Sequence, residues 1–319
     1  MMNRRELLAA MSLTAAAGAM SRRNFSAFAQ AAAPRPFLGI QFFTFVGRNG
    51  ASLGFEKYVA MMETVRKIGY DGIELAGFSG YKPEDIKASA TKLGLDIPSV
   101  HCGFDQVFGF LPPPPMGPDT FTQAQDATYT PVAVVQIIRA MAGPVRDVGA
   151  RFAVVAAGGK LNFTTVDNVM RFADALNKAN VLAREKGLTL SFHPHAPEFT
   201  PVEGKVPFDL LIANTDASIR YELDVYWSTL GGGDGDPVAV IHRYANRIAL
   251  FHLKDMGKDK SIATPGDGTF DFAAIKTAAA KCDHPYFFVE RDNAPDPVDA
   301  ATRSYAYLHK VGYGERATA

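Results

Sequence analysis

Cysteine is almost missing from this 319-residue sequence, with only Cys102 and Cys282 present. Two cysteines cannot make a disulfide framework. Free, buried thiols are therefore the expected state, although an oxidising compartment would permit one bridge. Net charge is missing too: 33 Lys and Arg balance 33 Asp and Glu. A phosphate-backbone binder would carry a basic excess, so nucleic acid is not the expected partner. No glycine-rich dinucleotide fingerprint follows the first strand candidate, which removes a doubly wound cofactor-binding sheet. Long hydrophobic runs are absent as well. The Ala-rich stretch at residues 7–20 is too short to span a bilayer comfortably, so no stable membrane anchor is expected.

That stretch has another reading. Arg4 and Arg5 precede it, and "AFAQ" follows with Ala27 and Ala29 in the small-x-small spacing of a signal peptidase site. The paired arginines resemble a twin-arginine export signal over residues 1–29. The mature chain would then begin near Gln30 in the periplasm. Arg22 and Arg23 lie untidily close to the cleavage point.

What remains is ordinary globular material: 47 % hydrophobic against 21 % charged, enough apolar surface for one large core. Beyond Pro36, short runs rich in Val, Ile and Phe alternate with longer stretches of helical period. The strand candidates are "FLGIQFF" (37–43), "GIEL" (72–75), "IPSVH" (97–101) and "RFAVVAA" (151–157), then "LTLSFH" (188–193), "IRYELD" (219–224), "RIALFH" (247–252) and "YFFVE" (286–290). The glycines of "KIGY", "KLGL" and "EKGL" mark helix ends. Eight strand–helix pairs predict an α/β fold, a single (β/α)8 barrel over residues 30–319, for which roughly 250 residues is typical. The Pro-rich stretch at 103–130, after the third strand, reads as a long irregular loop over the barrel mouth.

Active sites of such barrels sit at the C-terminal rim, and seven of the eight strands end there in a side chain able to bind a metal or move a proton. These are Gln41, Glu74, His101, His193 with His195, Asp224, His252 and Glu290; the fourth strand ends in the small residues "AAGG". Singly, each has an ordinary structural explanation: a hydrogen-bonded core histidine, a helix cap at Asp224, a pair between Glu290 and Arg291. Together they would be costly to bury unless a cation compensates. On this pattern His193 points into the mouth as a metal ligand, and Glu198 lies just beyond the strand.

The segments "GYDGIELAGF", "SVHCGF", "SFHPHAPEF", "ELDVYW", "ALFHLKDM", "PGDGTFDF" and "FFVERD" run in order across nearly the whole chain. In them the sequence resembles the sugar phosphate isomerase/epimerase family, the xylose isomerase-like TIM barrels. The resemblance implies one divalent metal on Asp224, His252 and Glu290, with His193 at the strand-five position where many members have a glutamate. It implies that Glu290 and Lys254 act in proton transfer and enediolate stabilisation, with His195 beside them. Glu74, His101, Trp227, Glu198 and Gln41 are implied substrate or supporting groups, and Gly266, Asp267 and Gly268 a tight loop shaping the pocket.

Two imidazoles with two carboxylates would balance a dication, and that donor set suits Mn2+, Co2+ or Zn2+ better than Mg2+. The expected activity is a metal-dependent sugar isomerase or epimerase acting through a metal-stabilised enediolate. Export disfavours a sugar phosphate, leaving a free, oxidised or glycosidic sugar. With the strand-five glutamate missing, β-elimination or hydration of a 3-oxo-glycoside is the alternative. A non-catalytic periplasmic sugar-binding protein is the alternative from outside enzymology. Seven histidines and zero net charge argue against a nuclease of this fold. Related barrels are often homo-oligomers.

Overall fold

Runs buried on both faces are what a parallel sheet wrapped in helices requires, and all eight strand candidates become strands. The computed structural model describes residues 36–47, 53–103, 118–233 and 235–314. The strands are β1 (Phe37–Gln41), β2 (Gly72–Glu74), β3 (Ser99–Cys102), β4 (Phe152–Val155), β5 (Thr189–Phe192), β6 (Arg220–Asp224), β7 (Ile248–Leu253) and β10 (Tyr286–Val289). A two-residue antiparallel hairpin, β8 (Asp255–Met256) with β9 (Ile262–Ala263), follows β7.

The eight pair in parallel in the order β2-β1-β10-β7-β6-β5-β4-β3. The ends of that order meet through a bridge between Leu75 and Val100, where Leu75 N donates to Ser99 O (3.1 Å) and His101 N to Leu75 O (2.8 Å). The sheet is thus a barrel. A helix follows every strand, from Phe55–Ile68 after β1 to Pro297–Lys310 after β10.

Local chemistry sets the helix ends. Thr130, Thr165, Asp236, Asp271 and Asp296 each accept a backbone N–H of the first helical turn, a cap worth ~1 kcal/mol apiece. At the other ends Gly94 (φ 67°) and Gly187 (φ 74°) take the left-handed turn that their sequence contexts predict.

The expected irregular loop at 103–130 is partly helical: residues Pro118–Thr128 form a helix. Asp126 Oδ1 accepts from Leu161 N (3.1 Å), tying that helix to the 3-10 turn Lys160–Phe163. Residues 1–29, read above as an export signal, lie outside the described residues. No described helix is long and apolar enough to cross a membrane. Cys102 and Cys282 are both buried.

Inside the barrel, Val154, Leu250 and Phe288 form an apolar plug with Phe37, Phe152 and Tyr286 packed on it. Alternate residues of a strand share a face. One step of two residues therefore carries Leu250 to His252 and Phe288 to Glu290, so the interior changes from apolar to ionisable towards the C-terminal rim.

Candidate active site

Three strands carry the polar interior as same-face pairs: Glu222 and Asp224 on β6, His252 and Lys254 on and just past β7, Glu290 and Asp292 just past β10. They build two connected layers.

The deeper layer is a buried hydrogen-bond network. Gln41 Nε2 donates to Glu74 Oε2 (2.8 Å), and the same oxygen lies 2.6 Å from His252 Nε2 and 3.3 Å from His101 Nε2. His101 Nε2 is 2.8 Å from Glu222 Oε2, and the His101 and His252 rings stack at 5.3 Å. His193 Nδ1 approaches Glu222 Oε2 to 3.1 Å without hydrogen-bond geometry. Burial penalises each charge here, yet the neighbours outweigh it. Glu74 is held well below its ordinary value by His101 and His252. Glu222, raised by burial and by Glu74, is brought down to about 2 by the same histidines. His101 is lifted against burial to about 9 by Glu74 and Glu222. His193 goes the other way: burial, then His252, hold it neutral.

The upper layer is organised around Lys254. Its Nζ lies 3.2 Å from Asp224 Oδ2, 2.9 Å from Glu290 Oε2 and 3.0 Å from Asp292 Oδ2. Those three carboxylates raise its pKa despite burial. Glu290 Oε2 is also 2.8 Å from His252 Nδ1. Burial would raise the Glu290 carboxyl, but Lys254 and His252 keep it firmly ionised. Burial pushes Asp292 up to about 7 and raises Asp224. Asp224 does cap the next helix, as its alternative explanation supposes: Oδ1 accepts from Tyr226 N (2.8 Å) and Trp227 N (3.1 Å). Its other oxygen, Oδ2, accepts no hydrogen bond.

That oxygen is one of several buried polar atoms that bear on how a metal would fit. Asp224, His252 and Glu290 offer ligand atoms within 4.8 Å of one another, as do His101, His193, Glu222 and His252. Either group could hold a metal, since one ion with bonds of ~2.1 Å gathers donors on that scale after small rotamer shifts. The deeper group leaves Glu222 Oε1 and His193 Nδ1 buried without a hydrogen bond. The upper one has the buried Asp224 Oδ2, which accepts no hydrogen bond and lies 3.2 Å from Lys254 Nζ. Of the four expected ligands, Asp224, His252 and Glu290 converge, and His193 joins them only through His252, against whose ring it packs at 4.5 Å.

Above the layers opens a cavity of about 280 Å³, lined by His101, His193, His195, Glu198, Trp227, Lys254, Glu290 and Asp292. The small "AAGG" end of β4 lines it too, as do Gln125 and Tyr129 from the excursion after β3, which does reach the mouth. The His195 ring lies 5.2 Å from Trp227, tilted by 49°, and Lys254 Nζ stands 5.2 Å from the centre of the same indole. Burial and Lys254 push His195 down to about 3, so it is neutral. Glu198 Oε2 accepts from His195 N (3.1 Å).

Gln41 and Glu74, expected at the substrate, lie beneath the cavity, fully buried in the network under its floor. The "PGDG" turn does not line the cavity either. Asp255 pins it by accepting from Gly266, Gly268 and Phe270 N–H, and it flanks a separate cleft beside Phe270. Asp255 is thereby occupied, so Lys254 pairs with other acids. Sequence reasoning passed over Glu222 and Asp292. Each lies two residues from a recognised site residue, so strand alternation alone could have found them.

The model of the xylose isomerase-like TIM barrel family matches residues 62–311. An inosose dehydratase of Geobacillus kaustophilus is 24 % identical over 283 residues, covering 78 % of this chain and 84 % of that protein. An inosose dehydratase of Clostridium beijerinckii is 30 % identical over 164 residues, which span 44 % of this chain and about half (54 %) of the relative. Among solved structures, a sugar phosphate isomerase/epimerase from Parabacteroides distasonis superposes with a TM-score of 0.68 at 22 % identity, over 86 % of this chain and 98 % of that one. An L-ribulose 3-epimerase gives 0.60 at 19 %, over 86 % and 94 %. These likenesses in fold agree with the eight-stranded barrel, and the chain belongs to the xylose isomerase-like TIM barrel family.

Proposed function

We propose that the protein is a metal-dependent isomerase/epimerase-type enzyme that removes the proton beside the carbonyl of a non-phosphorylated or oxidised sugar, passing through an enediolate. The observation that carries this reading is the convergence of the Glu290 carboxylate and the buried Lys254 ammonium on one small cavity, with the Asp224 carboxylate beside Lys254. A divalent cation on Asp224, His252 and Glu290, with His193 alongside, would supply Lewis-acid polarisation of the carbonyl. Imidazoles and carboxylates in that mixture favour Mn2+, Co2+ or Zn2+ over Mg2+.

Glu290 takes the α-proton, and Lys254 donates to the oxygen on which charge builds. Trp227 offers an apolar face to the sugar ring, and neutral His195 a hydrogen bond. A cavity of about 280 Å³ is small beside drug-sized sites and suits a single ring. The export reading belongs with this one: the first residue of the mature protein, expected at Gln30, would be found by N-terminal sequencing of periplasmic material.

A second reading is water loss from the β-carbon after the same first step. Strand five presents imidazoles where a second carboxylate base would stand, and that favours a one-way elimination over symmetric epimerisation.

The test is the metal content of natively produced protein beside His193→Ala and Asp224→Asn. The asparagine keeps the Oδ1 cap and removes the ligand charge. About one transition metal per chain, lost in both variants, supports the proposal. Protein that carries none, and takes none up on titration, would leave a sugar-binding protein without turnover as the better reading.

A further inference from the structure

Four side chains of the deeper layer meet from four different strands: His101 on β3, His193 just past β5, Glu222 on β6 and His252 on β7. None is more than 3 % exposed. One donor atom from each lies within 4.8 Å of the other three. His101 and His193 also line the cavity above, which gives the cluster a way in.

Hydrogen bonds account for only part of this cluster. Glu222 Oε2 pairs with His101 Nε2 at 2.8 Å, and Glu74 Oε2 with His252 Nε2 at 2.6 Å. Two other contacts are close without being hydrogen bonds: His193 Nδ1 stands 3.1 Å from Glu222 Oε2, and His252 Nε2 3.4 Å from Glu222 Oε1. His193 Nδ1 and Glu222 Oε1 are both buried with no hydrogen-bond partner, a state that costs ~1–3 kcal/mol for each group. A hydrogen bond needs its donor aligned with its acceptor. Ligands of an ion instead aim their lone pairs at a point between them. A four-coordinate ion with bonds of ~2.0–2.1 Å holds its donors ~3.4 Å apart. The three distances around Glu222, 2.8, 3.1 and 3.4 Å, lie at or just under that spacing.

The charges agree with the geometry. Lys254 makes its ion pairs with Asp224, Glu290 and Asp292. The partners of Glu222 are imidazoles, which exchange a proton for a metal at neutral pH as a paired lysine does not. Glu222 and the adjoining Glu74 together balance a dication.

We infer that His101, His193, Glu222 and His252 form a second metal site, distinct from the upper layer, that takes Zn2+ or a zinc-like ion such as Co2+ in four-coordination. Three imidazoles and one carboxylate suit such ions and not Mg2+ or Mn2+. His252 binds the ion through Nε2, and its other nitrogen, Nδ1, faces Glu290 Oε2 at 2.8 Å. That carboxylate then orients the ligating ring from behind, as metal-bound histidines commonly require. The upper layer would use Nδ1 instead. A ring that keeps one proton offers one ligand nitrogen, so the two sites compete for His252, and the identity of the metal decides which layer holds it.

The experiment strips the full-length protein with a chelator and titrates it with Co2+, followed by visible absorption. It then counts the imidazoles around bound Zn2+ by X-ray absorption. Asp224→Asn should bind one Co2+ as tightly as the parent, with the intense bands of four-coordinate cobalt, and its zinc should show three imidazoles. Glu222→Gln and His101→Asn should each weaken Co2+ by at least the ~10–100-fold that an outer-shell change alone costs. Cobalt binding that Asp224→Asn abolishes and the other two variants spare would put the ion in the upper layer and overturn the inference. Zinc held by a single imidazole, or no cobalt bound by the parent, would overturn it as well. Should Glu222→Gln and His101→Asn fail to fold by circular dichroism, the spectrum and imidazole count of Asp224→Asn decide. Mn2+ reports separately on the upper layer: loss in Asp224→Asn and survival in Glu222→Gln would leave the proposed function standing whatever cobalt does.

Discussion

Replacing Lys254 by Met tests whether one ammonium holds the upper layer together. Its Nζ lies between 2.9 and 3.2 Å from carboxylate oxygens of Asp224, Glu290 and Asp292. Methionine fills nearly the same volume and removes the charge, leaving three carboxylates with His252 as the remaining cation. Removing one partner of a buried ion pair costs ~3–5 kcal/mol. The Asp292 side chain is 16 % exposed, and water screens that arm, so the lower end applies. At ~2–4 °C per kcal/mol for a large domain, the melting temperature of metal-free protein at pH 7 should fall by roughly 6–12 °C.

Two further signatures separate charge from packing. Asp224 and Asp292 have raised pKa values, Asp292 at about 7. Protonation relieves the uncompensated charge, so the deficit should shrink as pH falls from 8 towards 5. Manganese should stabilise the variant more than the parent, because no ammonium competes for the Asp224 and Glu290 oxygens. At 100 times its dissociation constant it would return ~2.7 kcal/mol. The assay is thermal unfolding followed by circular dichroism, with and without Mn2+. A melting temperature within a degree of the parent in metal-free buffer, or equal manganese shifts in both proteins, would refute the reasoning.

The deeper layer should show an alkaline signature. His101, raised from 6.5 to about 9, contributes stability that is full below pH 6.5 and is lost as pH rises through 9. The gap in unfolding free energy between parent and His101→Asn should therefore be wide at pH 6 and narrow by pH 10. Denaturant titrations at several pH values check this, and a gap that does not change with pH would contradict it. Gly158→Ala places a methyl group 2.4 Å from Phe163. It should cost ~1–3 kcal/mol as overpacking and weaken sugar binding in calorimetry by moving Glu198. Unchanged stability and affinity together would show that the β4 end yields freely.

The barrel was legible in the sequence because its signals are local. Alternating apolar runs, capping residues and glycines after helices act over a few residues, and every one of the eight expected strands forms. The rim residues followed from strand alternation. Glu222 and Asp292 obey the same period, yet they stand beside residues already accounted for and were passed over. The helix at Pro118–Thr128 was obscured by the prolines and glycine that precede it.

Which carboxyl meets which cation was beyond any local pattern. Lys254 is followed directly by Asp255 in the chain, but adjacent residues of an extended segment point to opposite faces. Asp255 turns outward to hold the Gly266–Phe270 turn, and Lys254 turns inward to Asp224, Glu290 and Asp292. Glu198 and Glu290 are the same residue type, and their sequences alone assign them no protonation state. The sequence by itself determined a (β/α)8 barrel with its ionisable residues at one end. The tertiary structure alone decided their charges, because a carboxyl's pKa depends on the cations within a few ångströms and on the water that packing excludes.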